Sequence, residues 1–180
     1  TLMRYKIGQK TGIEFPSESK GIFDLGQKKV RKIRLSNISF GQGVATNGIQ
    51  TLLFYSSIAN GGYLVRPTLI KKKTYQVERV LDKKVATQLE KMLLGVVENG
   101  TGSNAMIPGF TVGGKTGTAQ RPDSKGGYSG YVPSFVGYPM IQNDRFVVFV
   151  YLDDPTKNGR HGNEAAAPIF QKITEQILLY

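Results

Sequence analysis

Residues 109–116, Gly-Phe-Thr-Val-Gly-Gly-Lys-Thr, satisfy the phosphate-loop pattern G-x-x-x-x-G-K-[ST] letter for letter. Such a loop needs an apolar strand running into its first glycine and a helix opening at its lysine, because loop amides and the helix N-terminus together hold the phosphates. Neither flank complies. Residues 101–108 read as a loop, and Gly117, Pro122, Gly126 and Gly127 would break any helix after Thr116.

The same residues make better sense as a strand that runs through Lys115-Thr116-Gly117-Thr118 to Gln120. Without a Cβ, Gly114 and Gly117 let a peptide-like ligand lie close along the strand edge, where main-chain amides and carbonyls can pair with it. Lys115 supplies a cationic donor, and Thr116 and Thr118, two residues apart, can send both hydroxyls to one side to meet a carboxylate. A free N–H at Thr118 can stabilise an oxyanion. Strict alternation turns Lys115 away from both threonines, so a shared site needs twist or a local bulge.

His161, the sole histidine, stands near Asp153, Asp154 and Glu164, a grouping that invites a metal or a proton relay. One imidazole among Asn158, Gly159 and Gly162 before a helix reads instead as a solvated turn residue, and no metal or cofactor is expected. Zero cysteines exclude disulfide frameworks, cysteine-ligated metals and thiol nucleophiles. A composition of 39% apolar and 21% charged residues over 180 residues fits an ordinary globular chain. The longest apolar run, residues 146–152, is far below the roughly 20 residues of a membrane helix. The 24 basic against 13 acidic residues leave +11. The basic clusters Lys28, Lys29, Arg31, Lys32 and Arg34, then Lys71 to Lys73, then Lys83 and Lys84, border connectors and read as solvated turns rather than a nucleic-acid surface. A basic nucleic-acid binder is the reading that a steep salt dependence of duplex binding would require.

Three helical patterns frame these residues. The first follows Thr46 as N-cap, carries Ile49, Leu52, Leu53 and Ile58, and stops at Gly61-Gly62. The second places Val85, Leu89, Met92, Leu93, Val96 and Val97 on one face and gives Gly100 a left-handed position after its end. The third starts behind Asn163, holds Pro168 in its first turn and lines up Ala166, Ile169, Phe170, Ile173 and Ile177. Strands are predicted over 110–120, 134–140 and 145–152, with Asn143-Asp144 as the turn between the last two and a flexible loop over 120–133. Residues 146–150 are apolar at both parities, which predicts a central strand covered on both faces. The expected fold is α/β of the α+β type, helices packed on an antiparallel sheet. Its parts are an irregular lead-in over 1–39, a helical part over 40–109, and three strands plus a terminal helix over 110–180.

Landmarks along nearly all 180 residues resemble the C-terminal part of the transpeptidase domain of class B penicillin-binding proteins. They are Gly8-Gln9-Lys10-Thr11-Gly12-Ile13-Glu14 with Pro16 and Glu18; Ser39-Phe40-Gly41-Gln42-Gly43 leading to Gln50; Ala59-Asn60-Gly61-Gly62; and Arg66-Pro67. Further on come Gly100-Thr101-Gly102, Lys115-Thr116-Gly117-Thr118, Ser134-Phe135-Val136-Gly137 and Ala165-Ala166-Ala167-Pro168-Ile169-Phe170. The short interval between Glu18 and Ser39 is more similar to the septal, cell-division branch than to the elongation branch.

The resemblance implies an incomplete penicillin-binding fold and acyl transfer through a serine ester, with an S-x-x-K nucleophile motif, an S-x-N bridge and a K-T-G wall. Only the last is present. Ser17-Glu18-Ser19-Lys20 matches S-x-x-K on paper, but it lies between Pro16 and Gly21, ahead of every expected helix and inside another landmark. The nucleophile is therefore expected on upstream polypeptide, and this segment alone is expected to be inactive. By resemblance, Lys115 orients the proton network, Thr116 and Thr118 bind the substrate carboxylate, the Thr118 amide forms half of an oxyanion hole, Gly117 keeps the edge clear, and Gln120 and Tyr128 are substrate-side neighbours. The implied partners are peptidoglycan stem peptides, β-lactams, the upstream remainder of the polypeptide, and other cell-wall or division proteins. The implied location is the periplasmic or outer face of the cytoplasmic membrane, with an upstream anchor. A non-catalytic penicillin-sensing or interaction module of the same fold is the alternative.

Overall fold

Asn47, not Thr46, opens the first long helix, because Asn47 and Gln50 satisfy each other's main-chain donors. Asn47 Oδ1 accepts from the Gln50 amide at 2.8 Å, and Gln50 Oε1 accepts from the Asn47 amide at 3.0 Å. Thr46 bonds Thr51 instead, hydroxyl to hydroxyl at 3.1 Å. In this computed structural model, residues 2–23, 32–39, 41–71, 74–123, 127–142, 145–157 and 159–180 are described. Phe40, the Asn143-Asp144 turn, Asn158 and the basic residues Lys28, Lys29, Arg31, Lys72 and Lys73 lie outside them.

The helices are α1 (Lys32–Ser39), α2 (Gly48–Ala59), α3 (Lys83–Glu98), α4 (Gly162–Ala165) and α5 (Ala167–Leu178), with 3-10 turns at Leu2–Tyr5 and Ser103–Ala105. The strands are β1 (Tyr63–Val65), β2 (Val77–Arg79), β3 (Val112–Pro122), β4 (Tyr128–Pro139) and β5 (Val148–Tyr151). Helices packed on an antiparallel sheet of order β3-β4-β5 bear out the expected fold class. The separate antiparallel pair β1-β2 was not foreseen.

Several local expectations are corrected. Lys32 and Arg34 belong to α1, and Lys83 and Lys84 form the first turn of α3, N-capped by Asp82 through the Lys84 amide at 2.8 Å. Gly100 is not left-handed; a Cβ there would lie 2.9 Å from Val96 Cα, so close approach is what requires glycine. The buried stripe of α3 is Ala86, Leu93 and Val97, while Val85 and Met92 are exposed. On α5 the buried stripe is Ala167, Phe170 and Thr174, and Ile169, Ile173 and Ile177 flank it outside. Of the predicted face, Ala166 and Phe170 are buried and the three isoleucines are not, because the packing centres on Phe170 against Phe135, with ring centres 4.7 Å apart. The supposed flexible loop over 120–133 is largely ladder, since β3 pairs with β4 out to Pro122 and Tyr128. Among the described residues β4 is central and β5 is an edge, with Val150 its buried residue. Pro133 and Pro139 are tolerated within β4 because both flank the Ser134–Gly137 stretch in register with β5, and neither is called on to donate to β3.

Two cores flank the sheet. Phe135, Val150, Val112, Phe170 and Ala105 fill one, and Tyr138 of β4 meets Ile58, Ala59 and Leu93 in the other. The lead-in is irregular but anchored. The fully buried Gln50 donates from Nε2 to the carbonyls of Lys6 and Gln9 at 2.8 Å and of Lys20 at 3.0 Å.

Candidate active-site edge

The phosphate-loop geometry is excluded, because Lys115 and Thr116 lie within an eleven-residue strand and open no helix. What matters on that strand is the direction of its main-chain groups. The Met140 amide donates to Thr111 O, whereas Pro133 O and Tyr131 O accept from Leu152 and Asp154 beyond β4. Even-numbered residues of β4 therefore face β3, and odd-numbered ones face β5. Through the register Gly117↔Ser134 and Thr118↔Pro133, Gly113, Lys115 and Gly117 bond to β4. Gly114, Thr116, Thr118 and Gln120 turn their amides and carbonyls to the edge that no described strand covers.

Alternation does place the Lys115 side chain opposite the two threonines, yet neither twist nor bulge brings them together. The register irregularity falls farther along, between Gln120 and Pro122. The long lysine stem curls back over the edge, so that Nζ donates to Thr116 O at 3.0 Å and reaches Thr116 Oγ1 at 3.4 Å. Thr116 shares its face with its cross-strand partner Phe135 and thus sits on the α5 core. Thr118 Oγ1 accepts from the Gly162 amide at 3.3 Å, which leaves its own proton free to point outward.

The glycines meet a demand the sequence did not disclose. A Cβ on Gly114 would fall 2.4 Å from Phe135 Cζ, one on Gly117 2.4 Å from Ser134 Oγ, and one on Gly162 2.3 Å from Ser134 O. Cross-strand packing therefore requires glycine at 114 and the seat of α4 requires it at 162, whereas at Gly117 only the rotatable Ser134 hydroxyl stands close. Gln120 continues the Thr116-Thr118 face at the exposed end of the edge. Tyr128 does not join the group. Its partner Pro122 is seven residues beyond Lys115, roughly 23 Å along a strand.

His161 is the N-cap residue of α4, exposed and making no side-chain cap. Ser17 sits in a turn with φ +61°, and its neighbour Glu18 is a structural acceptor. The Glu18 carboxylate takes the Thr11 amide at 2.9 and 3.0 Å, the Thr11 hydroxyl at 2.6 Å, the Gly12 amide at 3.3 Å and Asn47 Nδ2 at 3.4 Å. Burial opposes its charge, but these donors outweigh burial and hold Glu18 below the usual carboxylate range. Missed by sequence reasoning as site neighbours were Thr101, whose hydroxyl lies 3.1 Å from that of Thr116, and Gly162. Thr101 was visible only as the middle of a Gly-Thr-Gly landmark.

Comparison with known proteins adds a lineage to this geometry. The family model of the penicillin binding protein transpeptidase domain matches residues 1–175. Stage V sporulation protein D of Bacillus subtilis is 35% identical over 189 residues, covering 97% of this chain and 29% of that protein. The peptidoglycan D,D-transpeptidase FtsI of Buchnera aphidicola is 29% identical, covering 97% of this chain and 32% of its own length. The structure of penicillin-binding protein 3 from Mycobacterium tuberculosis complexed with aztreonam superposes with a TM-score of 0.87 at 31% identity, covering 99% of this chain and 44% of that one. The chain thus spans about a third of the curated relatives' length.

Proposed function

The chain belongs to the penicillin-binding protein transpeptidase domain family, and from that premise we propose that it forms one wall of a serine D,D-transpeptidase that cross-links peptidoglycan stem peptides and is acylated by β-lactams. The observation that carries this reading is the edge of β3: outward amides at Thr116 and Thr118, two hydroxyls on one face, and a lysine ammonium folded onto Thr116. A peptide ending in a carboxylate is the ligand such an edge suits, with main-chain pairing for its backbone and charge-assisted bonds for its terminus.

In this mechanism a serine on polypeptide outside these residues attacks the carbonyl of the penultimate D-alanine. The Thr118 amide faces the developing oxyanion, and the C–N bond breaks as the serine proton passes to the departing nitrogen, releasing the terminal D-alanine as the amine. An amine of a second stem peptide then takes the acyl group. A β-lactam follows the first half, but its leaving nitrogen stays tethered and the ester persists. Lys115 orients the proton network, Thr116 and Thr118 hold the carboxylate, Gly117 keeps the edge open, and Gln120 lengthens it. Tyr128 is left to the outer approach of a long peptide. Residues 1–39, 40–109 and 110–180 act as lead-in, helical support and catalytic sheet of one partial domain.

The full-length protein would work on the wall side of the cytoplasmic membrane, held by an anchor elsewhere. Among the described residues no helix is long and apolar enough to cross a membrane. The short Glu18–Ser39 interval supports the septal branch, with other division proteins as partners.

Intact-mass spectrometry with a fluorescent penicillin tests the reading. The full-length protein should gain one acyl group and these 180 residues alone none. Labelling of the 180-residue polypeptide that disappears on Ser17→Ala would overturn the assignment of the nucleophile.

A further inference from the structure

Thr101 puts a third hydroxyl beside the two threonines of β3, and the surrounding chain holds it there. It lies in the connection between α3 and the 3-10 turn, with Oγ1 3.1 Å from Thr116 Oγ1. Next to it, the Gly102 amide donates to Val96 O at 2.8 Å. A Cβ on Gly102 would come within 3.1 Å of both Phe135 and Val96, so the loop is pressed between helix and sheet. Two residues on, the Asn104 amide and Nδ2 donate to Asn163 Oδ1 at 3.0 Å and Asn163 O at 2.9 Å. Asn163 adjoins Gly162, whose amide donates to Thr118 Oγ1 at 3.3 Å. The two β3 hydroxyls are therefore gripped from two segments, and those segments are tied to each other by a pair of hydrogen bonds.

A hydroxyl has one proton to give. Thr116 Oγ1 lies 3.4 Å from Lys115 Nζ, which can only donate to it. For Thr116 to donate outward to an anion, its contact with Thr101 survives only if Thr101 is the donor. The result is a directed chain, Thr101 O–H to Thr116 O, Thr116 O–H to carboxylate, in which each bond polarises the next. Gly162 does the same for Thr118 through a main-chain amide. We propose that Thr101 is a positioning residue that fixes Thr116 as a hydrogen-bond donor to the carboxylate of the acyl donor. This rests on the carboxylate reading of the β3 edge given above.

The test uses the full-length protein and a matched pair of substrates, a penicillin with its free carboxylate and the methyl ester of the same penicillin. The readout is the ratio of their second-order acylation rates. Loss of a hydrogen bond to a charged group should lower the acid-to-ester ratio about tenfold in Thr101→Val. Thr101→Ser, which keeps the hydroxyl, should restore it. An unchanged ratio in Thr101→Val, or both rates falling together, overturns the inference, since a merely structural threonine would affect acid and ester alike. If the wild type itself fails to prefer the acid, the carboxylate reading fails and this inference with it. If the wild type and Thr101→Val prefer it equally while Thr118→Val does not, the reading stands and Thr101 alone is refuted.

Discussion

The knot around Glu18 and Gln50 and the edge around Thr116 are made from the same kinds of groups: a carboxylate or ammonium, a carboxamide, threonine hydroxyls and main-chain amides. They differ in where those groups point. In the knot, Glu18 accepts from Thr11, Gly12 and Asn47, and Gln50 binds three carbonyls and one amide, all within the chain. Along β3, the register directs alternate amides to an edge no described strand covers, and Thr118 keeps a free hydroxyl proton. Both regions hold family landmarks, yet only the second has groups disposed toward a ligand. A polar landmark whose donors and acceptors close on one another stabilises the fold, whereas one whose groups face outward in register serves a partner.

Substitutions in the two regions should therefore separate activity from stability. The largest effect is expected from Lys115→Ala in the full-length protein. Acylation by penicillin should fall roughly 10³-fold, the scale of a lost proton-transfer group, while the melting temperature stays near that of the wild type. A melting temperature that falls with the rate would make Lys115 a structural residue and dissolve the contrast.

A smaller and opposite effect is expected from Glu18→Gln. The carboxamide keeps the shape but loses the charge-assisted bonds, so the midpoint of urea unfolding at neutral pH should drop by the equivalent of roughly 1–2 kcal/mol. Acylation per folded molecule should be retained. Because the folded-state pKa of Glu18 is depressed, its contribution is complete above the unfolded carboxylate pKa and is lost as pH falls through the lower folded value. The difference between wild type and Glu18→Gln should accordingly shrink on acidification below the ordinary carboxylate range. A difference that is flat with pH would show that Glu18 is not ionised in the knot.

Much of this arrangement could be read from the residues alone. The run Gly113–Gln120 forms a strand because glycines and threonines flanked by helix breakers leave no other regular choice, and α3 follows its apolar period. Boundaries and faces escaped where tertiary packing overrode local pattern. The Asn47-Gln50 box outcompeted Thr46, and packing on the ring of Phe135 buries Phe170 while Ile173, expected on the same face, stays exposed. The short β1-β2 pair has no tight-turn signal, since eleven residues separate Val65 from Val77. The glycine-rich stretch after Gln120 looks like a loop, yet β4 continues the ladder past it. Thr101 is fifteen residues from Thr116, and a hydrogen bond at that separation has no period to betray it.

On the proposed function, the edge of β3 binds the carboxylate and the reacting carbonyl of an acyl donor whose ester is carried by a serine outside these residues. A crystal structure of the full-length protein acylated by a penicillin tests it most directly. The carboxylate should lie within hydrogen-bond distance of the Thr116 and Thr118 hydroxyls, and the ester oxygen should accept from the Thr118 amide. An ester on Ser17, or a carboxylate bound away from both threonines, would contradict it.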